Sequence, residues 1–175
     1  MNFPLYNTLF IALLGFILLY SYYYFSQKYP SIIESLWGTI KGRTRQFYFY
    51  SIGFCFICYI SIFIYLFSKN NLTSTQIQQI TTAISTMIIA SMLWMPLSIQ
   101  YHYHKSSILK SLIIITLLLV SLSAFYLILL LSELKETSSK MKYLKNISVF
   151  GSIYFFFQVF VLDFIYWNYA YLWRS

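Results

Sequence analysis

Charge is what this sequence has least of. Among 175 residues, four are acidic and twelve basic, so charged side chains make up 9% of the chain, where a soluble domain carries roughly a quarter. A surface so poor in charge cannot be covered by water, and most of it is expected to face lipid. The 59% hydrophobic content and the mean hydropathy of +0.67 agree. Glycine is scarce and does not cluster, which excludes phosphate-cradling loops and nucleotide fingerprints; no nucleophile elbow or HExxH stretch occurs either. Enzymatic chemistry on soluble substrates is therefore not expected.

Cysteine and histidine are equally sparse. Cys55 and Cys58 lie in one apolar run, so no disulfide framework is implied. Their C-x-x-C spacing suits redox chemistry only where the first thiol sits at a solvent-reached helix start; mid-helix in lipid it carries no redox reading. The two histidines, His102 and His104, share a face in an extended chain but stand about 200° apart on a helix, and no further histidine exists to complete a metal site. No metal or cofactor is expected. The N-terminus lacks a basic stretch and a small-residue cleavage site, so the first apolar segment is expected to stay as a span.

Charge-free runs cover residues 1–27, 46–68, 70–104 and 111–132, and a fifth, 146–162, continues beyond Asp163. About 20 apolar residues cross the hydrocarbon core as a helix. The runs predict an all-α fold: a polytopic transmembrane helical bundle, a single membrane domain with about five spans at 4–25, 47–67, 76–96, 108–132 and 147–171. Stretches such as Leu112–Val120 are apolar at every position but Thr116, which excludes the dyad alternation of a membrane β-barrel. The 18 Tyr and 17 Phe suit the membrane interface. With abundant Ile, Lys and Asn they also suggest AU-rich codons, hence an organellar, viral or protist genome.

The loops add detail. After the first span, Pro30-Ser31-Ile32-Ile33-Glu34 reads as a helix start, with Ser31 and Glu34 as a capping box. Ile32, Ile33, Leu36, Trp37 and Ile40 recur at helical spacing, which predicts a short interfacial amphipathic helix ended by Gly42. Lys28, Lys41, Arg43, Arg45, Lys105, Lys110 and Arg174 fall on one side of the predicted topology. Lys69, Lys135, Lys140, Lys142 and Lys145 fall on the other. The positive-inside rule then places the N-terminus outside and the C-terminus inside. In a bilayer, a net charge of +8 points to lipid headgroups and not to nucleic acid. The sequons at Asn71 and Asn146 both fall on the predicted outside.

Few intramembrane polar residues remain. Asp163 is the one acidic residue within a span; such a group should face protein or water. Its expected partners on the inner side are Arg45, Gln46, Gln100, His102 and His104. Gln158 and Asn168 lie five positions to either side, a displacement of about 140° on an α-helix, which predicts separate contacts and no continuous stripe. In the third span, Gln79, Thr82, Thr86 and Ala90 form one small-polar face flanked by Thr81 and Ser85, suited to helix–helix contact or to a pore lining. Pro96 is expected to kink or end that helix.

Two function classes follow. One is a structural or accessory subunit of a membrane assembly, packed against other membrane subunits or in a homo-oligomer. The other is a small ion channel or a proton-coupled or small-solute transporter using Asp163, Gln158 and the Gln79–Thr82–Thr86 face.

Overall fold

The computed structural model describes residues 3–69 and 71–173. The described residues are helical throughout their length except for short turns: α1 (Leu5–Lys28), α2 (Pro30–Ser35), α3 (Gly42–Ser68), α4 (Ser74–His104), α5 (Ser107–Glu133) and α6 (Ser139–Trp173). All but α2 are long and apolar enough to cross a bilayer. Each of the five expected spans corresponds to one of them. Arg174, assigned to the basic side from sequence, lies outside the described residues.

The helix ends follow local chemistry. Thr73 caps α4 by accepting from the Gln76 amide at 3.2 Å, while the Gln76 side chain accepts from the Thr73 amide at 3.0 Å. This reciprocal pair satisfies two otherwise orphaned donors. The capping box expected at Ser31 does not form. Proline occupies the first turn of α2, the residue preceding the helix is Tyr29, and Glu34 turns instead to Arg45. The short helix after the first span is present, but it stops at Ser35, and Gly42 opens α3 with a positive φ of 58°.

Pro96 does not end α4, which runs on to His104. Met95, Ser98 and Ile99 are buried around the proline, and neighbouring helices hold the segment, a condition under which membrane helices tolerate proline. The last helix likewise runs unbroken through Asp163. From Phe157 its winding widens to i→i+5 hydrogen bonding, a geometry rare outside functional segments.

Helix α4 packs along α5 on one side and α1 on the other, α5 packs on α6, and α6 packs on α3. The crossing of α3 and α6 is the closest fitted. A Cβ on Gly151 would stand 3.0 Å from the Cys58 Cβ and 3.3 Å from its Cα. Ser148, fully buried, donates to the Ser61 carbonyl at 3.0 Å. Small residues thus bring two backbones together where no hydrophobic drive operates between helices. Cys55 and Cys58 are buried there as free thiols. Ser148 belongs to the Asn146 sequon, which therefore sits in a helix with its hydroxyl inside the bundle.

The two ends of the bundle are closed differently. At the end holding residues 29–41, here the proximal end, Ile32, Leu36 and Ile40 insert among Tyr48, Ile99, Ile113, Trp167 and Tyr171. The apolar side of α2 is thus covered by protein as well as lying at the membrane border. At the opposite, distal end, Ile11, Leu66, Ile77, Ile80 and Leu131 form a second cluster.

Candidate intramembrane polar site

The polar residues inside the spans are sorted by which helix face they occupy. Gln158, on α6, is 3% exposed. Its Oε1 accepts from the Ser51 hydroxyl of α3 at 2.5 Å, and its Nε2 donates to Asp163 Oδ1 at 3.1 Å. The Ser51 hydroxyl also meets the Tyr154 hydroxyl at 2.9 Å. One residue from Asp163, the Leu162 carbonyl accepts from the Tyr48 hydroxyl. The result is a chain Tyr154–Ser51–Gln158–Asp163 that ties α3 to α6 within the spans.

This arrangement corrects the helical-wheel expectation. Residues five apart diverge on an α-helix, yet where hydrogen bonds run i→i+5 they stand nearly one above the other. Gln158 and Asp163 therefore meet. Asn168 does not extend the chain: its Nδ2 donates to the Phe164 carbonyl at 2.6 Å. On the same helix Phe156, Phe160 and Phe164 stack with ring centroids 5.2 and 5.6 Å apart.

None of the expected inner-side partners hydrogen-bonds or ion-pairs with Asp163. Arg45 pairs with Glu34 through both carboxylate oxygens and lies over the Trp37 ring, 4.9 Å from its centroid. His102 Nδ1 meets the Ser35 hydroxyl at 3.1 Å. Gln46, Gln100 and His104 are exposed. Arg45 and His102 are taken by the α2 segment, whereas Asp163 turns to its own helix. Asp163 is half-buried. The groups within electrostatic range of it are the Tyr22 and Tyr48 hydroxyls and the Cys55 thiol.

The α4 face behaves differently from the Asp163 chain. Thr82 is exposed, Gln79 and Thr86 are half-buried, and Ala90 is buried against α5. The positions that fill the interior are Ile77, Ile80, Ala83, Ile84, Met87 and Ile88. Of this face Thr82 alone is exposed, and the face turns inward toward Ala90. Its flank Thr81 accepts from Asn7 Nδ2 of α1 at 2.8 Å, beside an open groove of about 270 Å³ bordered by Pro4, Asn7, Ser74, Gln78 and Thr82. The nearby Ser85 hydroxyl is buried with no hydrogen-bond partner among the described residues.

Several basic residues counted for orientation have specific partners. Lys69 is buried with Glu136, 2.6 Å away, and also donates to the Lys135 carbonyl at 2.6 Å; Tyr65 donates to the same carboxylate at 2.5 Å. Lys145 donates to the Ser132 and Leu134 carbonyls, closing the end of α5. Lys110 donates to the Leu172 carbonyl at the end of α6 and stands 3.7 Å over the Trp173 ring. The Arg45 guanidinium, hydrogen-bonded to Glu34, holds that carboxyl below its ordinary range.

Sequence reasoning missed Ser51 and Tyr154. The second span offered two serines, Ser51 and Ser61, amid apolar and aromatic neighbours; nothing linked Ser51 to Gln158. No family model matches the chain, and no curated protein or solved structure is significantly similar to it.

Proposed function

We propose that the chain is a structural or accessory subunit of a membrane assembly, joined to its neighbours through the polar face of α4. The observation that carries this reading is that Thr82 is exposed on α4, with Gln79 and Thr86 half-buried beside it, all three polar and without a hydrogen-bond partner among the described residues. In hydrocarbon such groups are satisfied by another helix, and small or hydroxyl side chains permit its close approach. The transport alternative would use Asp163 together with the same α4 residues.

Purification in a mild detergent, with a cysteine at Thr82 for cross-linking, tests the subunit reading. The expected result is a defined cross-linked product, with a second copy or another membrane protein, that a cysteine at Ile57 on the outer face of α3 does not give. A stable monomer with no product from either position sinks the reading.

A further inference from the structure

We propose that Asp163 is a reversible proton-binding site inside the bilayer, and that the chain Tyr154–Ser51–Gln158 reverses its hydrogen-bond direction when the proton arrives. The inference goes beyond the subunit reading and holds whether the chain works alone or in an assembly.

The geometry fixes the donors one by one. A carbonyl oxygen cannot donate, so where Gln158 Oε1 meets Ser51 the hydroxyl is the donor. The single Ser51 hydrogen is then used, and Tyr154 must donate to Ser51. The Gln158 Nε2 donates to Asp163 Oδ1. Every bond points toward the carboxylate, which is the arrangement that favours its ionised form.

The same four residues admit a second arrangement that leaves none of the three links broken. With a proton on Asp163, its O–H donates to Gln158 Oε1 after an amide flip. The Gln158 Nε2 then donates to Ser51, and Ser51 donates to Tyr154. One proton is gained at the carboxyl, no other bond to hydrogen is broken, and each link keeps one donor and one acceptor. An amide between two hydroxyl-type partners supports both directions because its two ends are nearly the same size and differ only in role.

Two further observations point to a bound proton and not to a fixed ion pair. No Lys or Arg among the described residues is paired with Asp163: Arg45 is taken by Glu34 and Lys69 by Glu136. And the side chain is half-buried, with Gln158 the one hydrogen-bond partner of its carboxyl among the described residues. The titratable groups near enough to feel its charge are Tyr22 from α1 and Tyr48 and Cys55 from α3, none of which is a cation.

Labelling with a membrane-soluble carbodiimide tests the proposal. The reagent adds to a protonated carboxyl and leaves a stable mass increase on the peptide. The full-length protein in lipid vesicles should be labelled at Asp163, more slowly as pH rises, and Asp163→Asn should lose that product. Replacing Gln158 by Leu removes the donor to the ionised form, so labelling at a fixed alkaline pH should quicken about ten-fold. Ser51→Ala, a gentler change, should quicken it less, which keeps the test alive if the leucine variant fails to fold. No labelling of folded protein at any pH overturns the proposal. So does labelling insensitive to both pH and Gln158, which marks a permanently neutral structural carboxyl. Suppression by Na⁺ or K⁺ at constant pH overturns it in favour of a metal cation.

Discussion

The proximal and distal ends of the bundle solve one problem in two ways. Each must close a gap between helices of different lengths where apolar core meets the membrane border. The distal end does it with charge: Lys69 and Glu136 are buried together, Glu136 accepting also from Tyr65 and Lys69 donating also to the Lys135 carbonyl. The proximal end does it with backbone fit. Trp167 Nε1 donates to the Leu36 carbonyl at 2.8 Å, the Thr39 amide to the Ala170 carbonyl at 3.4 Å, and Gly38 sits against Ala170 with a φ of 53°. Its ion pair, Glu34–Arg45, is on the rim, with Glu34 well exposed. The difference is one of fragility. A buried pair fails when either member is removed, because the other charge is stranded. A closure made of many neutral contacts fails in smaller steps, unless a residue that permits the backbone path is changed.

The largest break in that comparison should come at the distal end. Lys69→Met leaves Glu136 buried without its cation and should cost about 3–5 kcal/mol of stability. The double variant Lys69→Met with Glu136→Leu should recover much of the loss. Reversible unfolding in mixed micelles measures both, and an additive double variant would show that the two side chains are not coupled.

At the proximal end the most sensitive position is Gly38. A Cβ there would lie 2.5 Å from the Ala170 oxygen, on a left-handed backbone. Gly38→Ala should cost about 2–3 kcal/mol and raise amide exchange across residues 32–40. Unchanged exchange would mean that the segment adapts without the α6 contact. Trp167→Phe removes only one donor and should cost about 1 kcal/mol, read as a modest fall in the unfolding midpoint.

The smallest effect should be that of pH on the rim pair. Arg45 lowers the Glu34 carboxyl in the folded protein. The stabilisation is therefore present above the unfolded carboxylate range and is lost as pH falls through the lowered value. Acidification should loosen α2 slightly, seen as faster amide exchange at Ile33 to Trp37, and Glu34→Gln should show that exchange at neutral pH with no further change on acidification.

Much of the architecture was legible in the sequence, because the runs 1–27, 46–68, 70–104 and 111–132 are uncharged and long enough to cross hydrocarbon, and the fifth is interrupted only at Asp163. Legibility stopped at direction. Gln79, Thr82 and Thr86 follow a helical period, but a face periodic in polarity does not say whether it meets lipid or protein. Asp163 stood out by its isolation, yet its neighbours were sought at the membrane border, when Gln158 of the same helix was the partner. The Thr73–Gln76 capping box was readable and overlooked in favour of Ser31–Glu34, where Pro30 and Arg45 compete. Pro96 obeyed the membrane exception and not the soluble rule.

The number and placement of the membrane helices were determined by the sequence alone, since hydrocarbon accepts so few charges and demands that each backbone satisfy itself within a helix. Which charges are stranded, capped or paired was decided by tertiary structure, because Lys69 and Glu136 are 67 residues apart and meet only through packing. The widened winding of α6 is of the same kind. It brings Gln158 and Asp163, residues on different faces of an α-helix, into a hydrogen-bonded pair, because a wider turn carries five residues closer to one full revolution.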